Sequence, residues 1–142
     1  MAKEITPEQI AMIDEMVVKA RKAAKVIETY DQATVDRLCQ AVCAAVYPLK
    51  IWGNLSDEAV DETRLGDKVT KRNKRNKLKL ILRECLRHPS VGAIETIPEK
   101  GLVKYAKPVG VIGTLVPTTN PCLTTAGLTW LSLRVLWAAT EE

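Results

Sequence analysis

The sequence predicts an α/β chain in which a layer of helices leads into β-strands and then a closing strand–turn–helix. Apolar residues recur at helical spacing from Pro7 to about residue 88. Beyond Pro89 the pattern changes to short β-like runs separated by Pro and Gly. Val109 to Val116 then reads as a short buried strand entering the rigid polar turn Pro117-Thr118-Thr119-Asn120-Pro121, after which Cys122 to Ala126 can open a helix. A strand that ends in a small polar turn before a helix is where α/β enzymes place ligand-binding groups.

The elements follow in order. Thr6 is a good N-cap, Pro7 occupies the first helical position, and Gln9 can close a capping box onto Thr6. Ile10, Ile13, Met16, Val17, Ala20, Ala24 and Ile27 form one apolar stripe on that helix. Asp31 caps a second helix with Val35, Leu38, Cys39, Val42, Cys43 and Val46 on its buried face, and Pro48 ends or bends it. Ser56 is expected to cap a short third helix stopping near Gly66. Asp67 is expected to cap a fourth, running to about Arg87, where His88-Pro89 stops it. An extended arm over about residues 91–106 is interrupted by the turn Pro98-Glu99-Lys100-Gly101, and Lys107-Pro108 separates it from the strand–turn–helix at 109–137.

Composition sets outer limits. A chain of 142 residues, 46% hydrophobic and 27% charged, suits one globular unit with a real core. With no Phe, that core rests on Val, Ile, Leu and Ala. The polar start MAKEITPEQI is unlike a secretory signal, and no apolar run reaches the roughly 18 residues of a membrane span. Four dispersed cysteines suit reduced thiols rather than a disulfide scaffold. The expectation is a soluble cytoplasmic protein without membrane contact. The net charge of +4 is uneven: Lys68, Lys71, Arg72, Lys74, Arg75, Lys77 and Lys79 form an acid-free run, leaving the remainder slightly acidic.

Gly110 and Gly113 lie inside the expected strand, and no third glycine opens the next helix, so there is no GxGxxG phosphate cradle. The segment Ala106-Lys107-Pro108-Val109-Gly110-Val111-Ile112-Gly113, with Val116-Pro117-Thr118-Thr119-Asn120-Pro121, resembles the aldehyde dehydrogenase superfamily. More narrowly it is similar to the CoA-acylating branch, including the aldehyde domain of bifunctional aldehyde-alcohol dehydrogenases. The resemblance extends through the basic helix and fades at Trp130.

That resemblance implies the helical layer, strands and start of a Rossmann-like NAD-binding domain of the aldehyde dehydrogenase fold, spanning 1–142 and incomplete. It implies oxidation of a small aldehyde by NAD, with CoA receiving the acyl group from a cysteine thioester. Asn120 takes the role of oxyanion donor, its amide aimed where charge develops on the thiohemiacetal oxygen. Val116, Pro117, Thr118 and Thr119 line the nicotinamide side of the cofactor cleft. Leu102 to Ala106 resembles an arm that joins a neighbouring subunit's sheet, which implies a homo-oligomer and leaves an unpaired edge here.

The family also needs a downstream nucleophilic cysteine, a glycine-bearing helix start for the pyrophosphate, and a glutamate base. None follows before Glu142. The catalytic domain is therefore expected to be absent, the chain to be a truncated form, and turnover by it alone to be slight or nil. Arg134 lies near the place of a cofactor-facing lysine, but its register is too loose to give it that role.

Cys122 sits near a helix N-terminus, where the dipole would lower its pKa, yet it lies too close to Asn120 to serve as nucleophile and reads as a small packing residue. Cys85 and His88, with Cys39 and Cys43, lack metal-ligand spacing and read as core residues and a helix stop, so no metal is expected. The basic run lacks interleaved aromatics, so a solvated helix face, or one that meets acidic groups of the missing remainder or of the CoA phosphates, is favoured over a nucleic-acid-binding module. A non-catalytic interaction fragment is the remaining alternative. Trp130 and Trp137, with Leu123, Leu133 and Ala126, form a stripe whose partner surface is expected to be incomplete, leaving it open to exposure or self-association.

Overall fold

Capping chemistry sets most of the helix starts. The computed structural model describes residues 5–135 and 138–139. Helix α1 (Pro7–Ile27) opens with the expected capping box: Gln9 N–H donates to Thr6 Oγ1 at 3.4 Å and Thr6 N–H to Gln9 Oε1 at 3.0 Å. Helix α2 (Gln32–Val46) is capped by Asp31, whose Oδ1 accepts from Thr34 N–H at 2.8 Å. Helix α4 (Lys68–Asn73) is capped by Asp67 in the same way.

Two helix boundaries differ from expectation. Helix α3 (Leu49–Thr63) begins directly after Pro48, and Ser56 is not its cap but a buried residue in its middle. Trp52, Ser56 and Ala59 stand at i, i+4 and i+7, one continuous buried face, so the small serine takes a core position that alanine could fill. The expected single helix from Asp67 to Arg87 is two, α4 and α5 (Arg75–Arg87), with Lys74 at the break.

Strands β1 (Ala93–Ile97) and β2 (Leu102–Lys107) form an antiparallel hairpin. Its turn is a 3-10 segment, Pro98–Lys100, closed by Gly101 at φ 65°, a conformation open to a residue without Cβ. The far edge of β2 is not wholly unpaired: β3 (Ala138–Ala139) adds to it through Ala106 and Lys107. The last helix is α6 (Pro121–Val135), and Trp137 lies outside the described residues.

The largest departure concerns Val109 to Val116. These residues carry no regular secondary structure, and Val109, Val111, Ile112, Leu115 and Val116 are exposed. A buried strand exists only when ladders flank it, and among the described residues nothing pairs with this one. The described sheet is accordingly small and antiparallel, and the chain is mostly helical.

The core lies where α2, α3, α5 and α6 meet: Val35, Cys39, Cys43, Trp52, Leu78, Ala126 and Trp130. Trp130 is fully buried, so the expected exposure of its stripe does not extend to it. A polar staple locks the same helices to the chain beyond α5. Arg134 donates to Asp36 Oδ1 at 2.6 Å and to the His88 carbonyl, while Gln32 donates to Asp36 at 2.7 Å. Gln32 Oε1 accepts the N–H groups of Ser90 and Val91. Arg134 therefore faces the helical interior. The α1 stripe, by contrast, is largely open, with Ile10, Ile13 and Met16 exposed and only Ala24 buried. No helix among the described residues is long and apolar enough to cross a membrane.

Candidate functional site

The turn before α6 is built by its own backbone. Asn120 N–H reaches the Pro117 carbonyl at 3.4 Å, and the Asn120 carbonyl accepts the first helical bond from Thr124 N–H at 3.1 Å. Pro121 then occupies the first helical position, where a missing N–H costs nothing. An asparagine at such a start ordinarily uses its side-chain oxygen to cap the helix. Here Asn120 Oδ1 instead accepts from Lys74 Nζ at 2.6 Å. No described residue accepts a hydrogen bond from its Nδ2.

A second lysine grips the main chain next door. Lys71 Nζ donates to the Thr119 carbonyl at 2.7 Å, and Lys71 is only 8% exposed. Val116, Pro117, Thr118 and Thr119 remain exposed on the outer side of the turn, adjoining Asn120. Inside the turn lies a cavity of about 10 Å³ bordered by Trp52, Ser56, Lys71, Lys74, Asn120 and Cys122, room for about one water. Ser56 Oγ is buried there without a hydrogen-bond partner among the described residues.

Sequence reasoning missed both lysines as site residues and treated them as part of a solvated face. The signal was present: Lys71, Lys74 and Leu78 stand at i, i+3 and i+7, and Leu78 is fully buried, so that face points inward. Most of the rest of the run is also engaged within the chain. Lys68 pairs with Asp61 at 2.8 Å, and Arg72 with Asp57. Arg75 donates to the Tyr47 carbonyl at 3.1 Å, and both Arg75 and Lys79 lie over the Tyr47 ring. Six of the seven cations thus have intramolecular partners among the described residues.

The thiols are unsuited to attack. Burial raises the Cys122 pKa, outweighing the opposing hydrogen bond at its own backbone and the nearby Lys71 charge, and Sγ donates to the Leu55 carbonyl at 3.3 Å. The net shift is therefore upward and not the lowering expected from the helix start: losing contact with water costs the thiolate more than these neighbours return. Burial also raises Cys43 and Cys85, and pushes Cys39 up to about 11. Among the described residues no group of three or more His, Cys, Asp or Glu could hold a metal ion.

No protein-family profile matches the chain. Curated proteins do match. The chain is 42% identical over 118 residues to a sulfoacetaldehyde dehydrogenase of an Acholeplasma species, covering 81% of this chain and 24% of that protein. It is 37% identical over 116 residues to the acylating sulfoacetaldehyde dehydrogenase of Bilophila wadsworthia, covering 81% and 25%. Among solved structures, a probable aldehyde dehydrogenase from Listeria monocytogenes superposes with a TM-score of 0.82 at 26% identity, over 89% of this chain and 28% of that one. The chain spans about a quarter of the length of these relatives. The resemblance expected from the sequence is thus shown: over about a quarter of their length, acylating aldehyde dehydrogenases are the relatives of this chain.

Proposed function

We propose that the chain supplies one wall of an acylating aldehyde dehydrogenase site, the oxyanion and nicotinamide side, in the conversion of an aldehyde, CoA and NAD to an acyl-CoA and NADH. The observation that carries this is the state of Asn120. Its amide oxygen is held by Lys74, and among the described residues its amide nitrogen has no acceptor. A turn residue serving only its own loop would bond its own backbone instead. A donor fixed in place before charge develops on a carbonyl oxygen is what transition-state stabilisation requires.

The residues present fit one end of a nicotinamide cofactor. Val116 offers an exposed apolar surface, and Thr118 and Thr119 add hydroxyls beside it. When bound, the cofactor takes up the hydride from the aldehyde carbon. Val116 and Pro117 would bear on its ring, and Asn120 would hold the substrate oxygen. The described residues offer no Gly-rich cradle for the pyrophosphate and no thiol held in a reactive state. The chain by itself is therefore expected to produce no NADH from an aldehyde and CoA.

The test is a chimera. Residues 5–135 replace the matching quarter of the acylating sulfoacetaldehyde dehydrogenase of Bilophila wadsworthia, and NADH formation is followed with sulfoacetaldehyde and CoA. An active chimera is expected, and Asn120→Ala within it should lower kcat about 10²–10³-fold. Undiminished kcat in that variant sinks the oxyanion role.

A further inference from the structure

We infer that Lys74 is a positioning residue for Asn120: its ammonium fixes which way the carboxamide faces and strengthens it as a donor. This rests on the oxyanion reading of Asn120. A carboxamide is nearly symmetrical in shape, and rotation about χ2 exchanges its acceptor for its donors. Turned one way it stabilises a developing oxyanion; turned the other it repels it.

Lysine carries three donors and no acceptor, so only Oδ1 can face Nζ at 2.6 Å. Both hydrogens of Nδ2 are then directed to the opposite side. A cation on the amide oxygen also draws electron density along the group, which makes those hydrogens better donors. Lys71 completes the arrangement by holding the Thr119 carbonyl, so the asparagine is fixed through both its backbone and its tip. Lys74 is aimed at this job rather than at a counter-ion. Lys68 and Arg72, in the same run, take aspartate partners, whereas among the described residues Lys74 forms no ion pair. The break between α4 and α5 falls at Lys74 itself, so the geometry that orients this side chain is also where the helix yields.

The experiment uses the ¹⁵N-labelled 142-residue chain, with the Asn120 side-chain amide pair assigned by its disappearance in Asn120→Asp. Lys74→Met keeps the length of the stem and removes the charge; Lys74→Arg keeps the charge. The Asn120 amide hydrogens are expected to move upfield and exchange faster with water in Lys74→Met, and to stay near their native positions in Lys74→Arg. No change in Lys74→Met, or an equal loss in both variants, overturns the proposal. Should Lys74→Met fail to fold, the native Lys74 ammonium signal decides: slow exchange with water supports the contact, and exchange as fast as that of Lys77 overturns it. In the chimera, Lys74→Met should lower kcat about tenfold while KM for NAD holds. If the amide signals shift as expected but Asn120→Ala leaves kcat intact, the oxyanion reading fails and the positioning contact stands.

Discussion

The α2–α3–α5–α6 cluster and the region of α1 with residues 108–117 use similar apolar residues and reach opposite ends. In the cluster, Val35, Cys39, Leu78 and Trp130 are fully buried, and a polar staple through Arg134, Asp36 and Gln32 ties the helices together. Around α1, Ile10, Ile13 and Met16 remain exposed, and so do Val109, Ile112 and Leu115. Apolar periodicity specifies which face of an element is to be covered. It does not say that a cover is at hand.

Three perturbations probe that contrast. Trp130→Ala strikes the closed side and should cost about 4 kcal/mol in urea unfolding followed by far-UV circular dichroism. Since small domains hold only about 5–15 kcal/mol in total, that variant would keep a margin of as little as about 1 kcal/mol. A cost near zero would mean that the cluster is not what holds the chain together. The buried thiols give a subtler effect. Burial lifts Cys39 from its ordinary 9.0 to about 11, so the folded state keeps a proton that the unfolded chain releases. Its stabilisation is complete below pH 9 and is lost as pH rises to about 11, a change of up to about 3 kcal/mol. Urea midpoints measured across that range should fall for the native chain and fall less for Cys39→Val. On the open side Ile13→Gln should change stability by less than about 0.5 kcal/mol. A larger loss would show that α1 is packed in solution.

Much of the helical layer is legible in the sequence because its signals are local. Thr6, Asp31 and Asp67 cap where their chemistry says they should, since a cap bond spans only three residues. Val35, Cys39 and Cys43 follow from spacing alone. Ser56 misleads because an N-cap residue type can also fill a core position, and only the long-range partners of α3 decide between the two. The strand at Val109 could not be settled from sequence, because a strand is a property of its neighbours as much as of itself. Within the site, Asn120 and its flanking prolines are visible as a motif. The hold of Lys74 and Lys71 on that turn joins residues 46 and 48 positions apart, which no local pattern encodes.

The open stretch from Pro108 to Pro117 has a practical consequence for handling the chain. Exposed backbone without ladder partners fits readily into a protease cleft, and Val111, Ile112 and Leu115 are residue types that thermolysin cleaves before. Brief digestion should nick the chain there first, separating the β1–β2 hairpin from α6 in sequence. Because α6 packs against α2 and α5, the nicked pieces should stay together until denaturant is added.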